Sequence, residues 1–383
     1  MNTSVWARAG ALVTAVLTLA ACGSSSAPAS AARASSGSVA TLAPSAAAGP
    51  SGTAAGSASA TSEPSSATGQ SAAEKASGPV FTVTTTNQSP NNLFMLYALD
   101  RGIFAKNGVN VEMPTMSGQV QMDTVNAGHA DATLHTGADL VFNSEAATHL
   151  GLRIVATAEA VSDSYIITRN DITSLDRLRG KRFAMQSTTT GASQLIIRML
   201  QKMGMEPNKD YQVILTGTSG QVAGVLASIT AGAADAAAVT PAVGRAAIQA
   251  GQVKVIDDLA KHTELPTGSS VFAMTQATID KRGGDVQKII DSWMQAEQAI
   301  ASDKAGAEAV IKKYYKIDDP TALDEEWQRH LDTTQKIPMP TKDQFTDIVA
   351  AMPKDQPLTD AQFTAMIDQH FVQDAVNRGL GKW

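Results

Sequence analysis

The chain has a single cysteine in 383 residues, so no disulfide within it can staple the fold and its stability has to come from packing. Charge is scarce too: Asp, Glu, Lys and Arg make up 17 % of residues and the formal net charge is −6. Without a run of Lys or Arg there is no basic field of the kind nucleic acid or an anionic membrane surface requires, which excludes nucleic acid as a partner. No apolar run reaches the length that spans a bilayer. Catalytic signatures are missing as well. There is no Walker loop, no GxGxxG and no HExxH, and Gly217-Thr218-Ser219-Gly220-Gln221 stops one glycine short of a nucleophile elbow. The six histidines, His129, His135, His149, His262, His330 and His370, show no metal-ligand spacing. The expectation is therefore no enzyme, no cofactor and no metal.

What is present starts with 43 % hydrophobic residues, ample for more than one core in a chain of this length. The N-terminus carries Arg8, an apolar stretch from about Ala9 to Leu19, and then Leu19-Ala20-Ala21-Cys22-Gly23. Small residues ahead of a cut are what a signal peptidase accepts. This pattern resembles the bacterial lipoprotein lipobox, which implies a signal peptide over residues 1–21 and a diacylated Cys22 at the mature N-terminus. The mature chain would be lipid-anchored at the extracytoplasmic face of the bacterial cell membrane. From Gly23 to about Gly78 almost every residue is Ser, Ala, Gly, Thr or Pro, and nothing there offsets the entropy of ordering it. Residues 22–78 read as a tether with a reach of roughly 40 Å.

From Pro79 onward short apolar runs alternate with amphipathic stretches. Val80 to Thr84, Val109 to Met113 and Ala130 to Leu134 read as strands, and helices are expected near Leu93–Phe104, Gln119–Ala127 and Ala138–Ala147. The second half repeats the order: a strand at Arg182–Gln186, a helix from Gly191 to Met203, and strands at Tyr211–Leu215 and Ala234–Val239. A phrase is repeated as well. Ser117-Gly118-Gln119-Val120 with Ala127-Gly128-His129-Ala130-Asp131 matches Ser219-Gly220-Gln221-Val222 with Ala231-Gly232-Ala233-Ala234-Asp235. One βαβ unit is used in two similar lobes, so the fold class is α/β with mostly parallel sheets. Asp131 and Asp235, equivalent in the repeat, are expected to tie a strand start to its turn.

Several segments then resemble a family. Tyr97-Ala98-Leu99-Asp100-Arg101-Gly102-Ile103-Phe104-Ala105-Lys106-Asn107-Gly108-Val109, Gly128 with Asp131, Thr136-Gly137-Ala138, and Leu175-Asp176-Arg177-Leu178-Arg179-Gly180-Lys181 are similar to segments of ABC-importer solute-binding proteins. The group they resemble is the sulfonate/nitrate/taurine and thiamine-pyrimidine binding one, with the two-lobed type II periplasmic-binding-protein fold. The resemblance implies hinge crossovers, with lobe one at 79–162, lobe two at 163–267, and a return to lobe one plus C-terminal helices at 268–383. It also implies a monomer that closes on a small-molecule solute and hands it to ABC permease subunits. A relative that synthesises the thiamine pyrimidine uses a cysteine motif, which this chain lacks. A solute sensor for a partner receptor is the other reading.

Ligands of such sheets sit beyond the carboxyl ends of the strands. The loops there carry Gln88, Ser89, Ser117, Gly118, Gln119, His135 and Thr136 in lobe one. In lobe two they carry Ser187, Thr188, Thr189, Thr190, Ser219, Gly220, Gln221 and Thr240. These residues offer hydroxyl, amide and backbone N–H groups at helix starts, which suits an oxyanion, although Ser and Thr there also serve as plain caps. No Lys or Arg lies in these loops. Sulfonate-like anions therefore rank first as ligand, ahead of heterocyclic vitamin precursors, which want stacking aromatics. Tyr165 is a candidate at the cleft mouth. Ile289, Ile290, Trp293 and Met294 are expected to be packing faces, while Tyr314, Tyr315 and Trp327 are given no role in the site.

Overall fold

The computed structural model describes residues 77–383, apart from 87–89, 117, 189, 217–221, 265–267, 269 and 356. It contains two five-stranded sheets, each covered by helices on both faces.

The first half of the chain runs β1 (Val80–Thr85), α1 (Leu93–Asp100), α2 (Ile103–Lys106), β2 (Asn110–Glu112), α3 (Gly118–Asn126), β3 (Ala132–Thr136), α4 (Ala138–Thr148) and β4 (Leu152–Thr157). The β1 sequence Val-Phe-Thr-Val-Thr-Thr is almost wholly β-branched or aromatic, which suits a pleated surface packed on both sides. The second sheet follows with β5 (Tyr165–Thr168), β6 (Arg182–Met185), α5 (Gly191–Lys202), β7 (Gln212–Leu215), α6 (Val222–Thr230), β8 (Ala236–Val239), α7 (Pro241–Gln249) and β9 (Lys254–Asp258). The chain then returns to the first sheet as β10 (Val271–Thr275). It ends in α8 (Gln276–Ser302), α9 (Lys304–Tyr315), α10 (Pro320–Thr333), α11 (Thr346–Ala350), α12 (Asp360–Met366) and α13 (His370–Asn377).

Strand orders are β2-β1-β3-β10-β4 and β7-β6-β8-β5-β9. In each sheet four strands run the same way, and the strand that has just crossed over, β10 or β5, inserts antiparallel between two of them. The repeated phrase has a shared structural purpose. Asp131 Oδ2 accepts from Thr82 N at 2.8 Å and Asp235 Oδ2 from Arg182 N at 2.9 Å, so each carboxylate pins the start of the neighbouring strand. Gly128 and Gly232, at φ 71° and 73°, turn the chain out of α3 and α6 in the left-handed region. Because Ala130 and Asp131 are used in this turn, β3 begins at Ala132 and runs on to Thr136, two residues later than the apolar pattern suggests.

The C-terminal helices pack on the first sheet. Trp293 of α8 stacks on Phe94 of α1 with ring centroids 4.1 Å apart, and Ile289, Ile290 and Met294 are buried beside it. On the opposite face Phe142 meets Phe345 and Phe363 edge-on, each at 5.6 Å. Helix α8 bends at Arg282, whose backbone leaves helical geometry while its guanidinium reaches Asp131 and the Val80 carbonyl.

Candidate functional site

The carboxyl end of β3 carries an irregularity. Val271 of β10 pairs with Thr136 and Phe272 with Leu134, so His135 is an extra residue in the ladder. A bulge of this kind re-aims the side chain it displaces. His135 also adopts φ 56°, a left-handed conformation that costs a non-glycine residue about 1–2 kcal/mol. Its Nδ1 lies 2.8 Å from Ser270 Oγ, and Ser270 in turn donates to Glu159 Oε1 at 2.7 Å. These three residues come from β3 and from the two segments that cross between the sheets. Burial pulls the His135 pKa down to about 3, with His330 reinforcing it and the Asn91 backbone opposing. The Nε2 atom of this buried ring has no hydrogen-bond partner among the described residues.

Helix α10 supplies the facing wall. Asp319 caps it by accepting from Ala322 N at 2.8 Å, and Pro320 stands in the first turn, where a missing N–H is harmless. Arg329 from its last turns donates to the Asp163 carbonyl at 2.6 Å and to Asp258 Oδ1 at 2.8 Å, and lies 4.7 Å over the Tyr165 ring. His330 Nε2 is 2.9 Å from Glu297 Oε2. Asp163, Glu326, Arg329 and His330 line a narrow crevice with Pro90 and Asn91. Burial, strengthened by Glu159 and opposed by Arg329, pushes the Asp163 carboxyl up to about 7. The Glu326 carboxyl is also raised by burial, against the pull of Arg245, which pairs with it and with Glu325.

Beyond Glu326 lies a cavity of about 520 Å³ between α7 and the α9–α10 connection, walled by Ala242, Arg245, Tyr314, Tyr315 and Ile317. Residues from both sheets' units therefore meet along one seam. Arg198 of α5 bonds to Asp347 of α11 as a further tie across it.

Of the residues expected in the site, His135 stands at this seam. Thr240 precedes Ala242 in the cavity wall; it is the N-cap of α7, yet its side chain makes no cap bond and its buried Oγ1 lacks a partner among the described residues. Thr136 faces the other way and donates to Gln121 Oε1 at 2.7 Å inside the first sheet's core. Gln119 is exposed and bonds along its own helix to Asp123, and Gly118 is the first residue of α3. Thr190 caps α5 by accepting from Ser193 N, and the Thr188 carbonyl accepts from Gln194 Nε2 at 2.5 Å. Ser187 is half-buried after β6. Gln88, Ser89, Ser117, Thr189, Ser219, Gly220, Gln221 and Cys22 lie outside the described residues. Sequence reasoning missed Arg329, Glu326, Tyr314 and Tyr315. They sit on helices far along the chain, and their only sequence signal was a Tyr-Tyr pair and charges on a tail already read as packing surface. Arginine does reach the seam, from helices α7 and α10.

A family model described as NMT1/THI5 like matches residues 89–307, more than half of the chain. The chain belongs to the NMT1/THI5-like family. No curated protein matches its sequence. Among solved structures it is similar to the periplasmic aliphatic sulphonate binding protein SsuA of Escherichia coli, at 18 % identity and TM-score 0.63, covering 76 % of this chain and 93 % of that one. The alkanesulfonate-binding protein SsuA of Xanthomonas axonopodis pv. citri, bound to MOPS, matches at 16 % identity and TM-score 0.57, covering 78 % and 99 %. The periplasmic nitrate-binding protein NrtA of Synechocystis PCC 6803 matches at 15 % identity and TM-score 0.61, covering 80 % and 90 %. This family member therefore has the two-lobed fold of periplasmic binding proteins.

Proposed function

We propose that the chain is an extracytoplasmic solute-binding protein of an ABC importer, not an enzyme, anchored through a lipidated Cys22 and the 22–78 tether. As a monomer it would close lobe one (79–162 and 268–383) and lobe two (163–267) on a small solute and pass it to permease subunits. The observation that carries this reading is the seam itself: groups from both sheets' units converge on it, and two buried polar atoms there, His135 Nε2 and Thr240 Oγ1, have no partner among the described residues. A solute that touches both walls binds the closed state better than the open one, and that difference is what drives closure.

The solute class we put first is a small sulfonate-, taurine- or nitrate-like anion. Hydroxyl- and amide-rich loops at the strand ends support it, as do the sulfonate and nitrate binders among the structural neighbours. A specific observation favours a second class, a heterocyclic vitamin precursor such as a thiamine pyrimidine or a flavin. The cavity beside Tyr314 and Tyr315, at about 520 Å³, falls in the range of organic-ligand pockets and offers rings for stacking. Thermal unfolding of residues 79–383 against taurine, aliphatic sulfonates, nitrate, bicarbonate, thiamine pyrimidines and riboflavin tests the proposal. A ligand of the folded state raises the midpoint with the logarithm of its excess over Kd. A panel with no shift at all would count against solute binding.

A further inference from the structure

The first crossover between the sheets, residues 158–164, is clamped by the end of α10. Ala160 N donates to the Thr333 carbonyl and Gln335 N to the Ala158 carbonyl, each at 2.8 Å. Gln335 Nε2 adds a bond to the Glu159 carbonyl at 3.0 Å, and Arg329 holds the Asp163 carbonyl. Lobe two cannot swing away from α10 while the Arg329 ties last, because that side chain also binds Asp258 and covers Tyr165.

Carboxyl groups crowd this clamp. Glu159 and Asp163 come from the crossover, Glu325 and Glu326 from α10, and Asp258 from the end of β9. Glu159 and Glu326 are only 7 % and 3 % exposed. Facing these five, among the described residues, are two guanidiniums, Arg245 and Arg329. Histidine does not restore the balance. His135, joined to Glu159 through Ser270, is kept neutral by burial, and His330 is turned to a further carboxylate, Glu297. Burial also raises the Tyr165 phenol, so it brings no charge at neutral pH. Glu159 has the Ser270 hydroxyl, Glu325 and Glu326 have Arg245, and Asp258 has Arg329. Asp163 is left with the Ser164 side chain, and burial and Glu159 raise its carboxyl to about 7 against the pull of Arg329.

The crevice that Asp163 lines with Pro90, Asn91 and α10 leaves about 10 Å³ free, room for no more than one water. An ionised Asp163 can be hydrated only if the crevice widens, and widening it parts the crossover and Asp258 from α10. Ionisation and opening are therefore the same movement seen from two sides.

We propose that this clamp is a proton-sensitive hinge: the closed arrangement keeps a proton on Asp163 and opening releases it, so lobe closure, and solute affinity with it, is strongest in mildly acidic surroundings. The inference rests on the two-lobed solute-binding reading above and adds a regulation to it. The sign follows from linkage. In the open form Asp163 returns toward its ordinary 3.8, against about 7 when closed, so closure is favoured most below about pH 4. The closing constant then falls about tenfold per pH unit as pH rises toward 7 and is level beyond.

Amide hydrogen exchange of the full, ligand-free chain tests this, with rates corrected for the intrinsic effect of pH. Protection of the Ala160 and Gln335 amides should fall about tenfold per unit between pH 5 and 7 and level off by pH 8. In Asp163→Asn, which removes the charge and keeps the shape, their protection should be high and the same throughout, and the thermal midpoint of that variant at pH 5 reports whether it folds. Flat protection in the unaltered chain overturns the proposal whatever the variant does. A slope retained in Asp163→Asn puts the titrating group elsewhere, on Glu159 or His330, and also overturns it. So does exchange of these two amides at the rate of the β5–β8 ladder, since the crossover would then open only by global unfolding. No solute enters this measurement, so a failed hinge shows here and a failed solute-binding reading shows in the thermal panel.

Discussion

His135 and His149 both hold a left-handed backbone, and their surroundings distinguish what each does. His149 is an exposed C-cap of α4, a place where glycine avoids the Cβ penalty. His149→Gly should stabilise the fold by about 1 kcal/mol in urea unfolding; an unchanged midpoint would show that the strain argument is wrong for this chain. At His135 the same replacement also removes the hydrogen bond to Ser270, so the gain should be smaller or absent. Titration separates two other residues. Asp163, raised from 3.8 to about 7, binds its proton more tightly folded than unfolded, so its contribution is full below about pH 4 and is lost as pH climbs through 7. His135, lowered from 6.5 to about 3, works the opposite way: its contribution is full above pH 6.5 and is lost as pH falls toward 3. Asp163→Asn should therefore gain stability over the unaltered chain progressively between about pH 4 and pH 7, with a constant gap beyond. A gap independent of pH would contradict the raised carboxyl.

At the scale of elements, α10 joins the two sheets' units. Arg329 reaches Asp258 at the end of β9 and covers Tyr165 at the start of β5, while Glu325 and Glu326 hold Arg245 of α7. Arg329→Met keeps most of the stem and deletes the ties. Small-angle scattering should then show a larger radius of gyration, with weaker binding of whichever panel solute binds, by about tenfold; an unaltered radius would mean the pair is incidental. In the core, Trp293→Ala should cost about 3–5 kcal/mol, since the indole stacks on Phe94 and is fully buried. Elements differ in how far sequence revealed them. The start of α5 was legible because Thr190-Gly191 is a strong local signal; α7, which opens at Pro241 behind Thr240, was read only as a strand-end loop. Strands β4, β5 and β9 were not assigned, because each is a short run whose pairing partners lie far away: β5 is held by β8 and β9, some 70 to 90 residues on.

On the scale of the whole molecule, four hydrophobic clusters among the described residues, two on each sheet, lie within residues 81–380. Residues 79–383 alone should therefore unfold cooperatively and bind the same solute with the Kd of the longer chain. A solute that binds should also shrink the radius of gyration, since closure brings the lobes together. Binding without compaction would mean that the seam is already closed in the free protein.

The sequence by itself determined the α/β class and the duplicated βαβ unit. Periodicity, glycine stops and the two repeated aspartates are local and survive without any knowledge of tertiary contacts. Only the tertiary structure decided which side chains share the seam. The bulge that ejects His135 exists only in the pairing of β3 with β10. The Ser270–Glu159 relay joins residues 111 apart, and Arg329 reaches Asp163 across 166. Such contacts are set by how sheets and helices pack, and no window of sequence contains both partners.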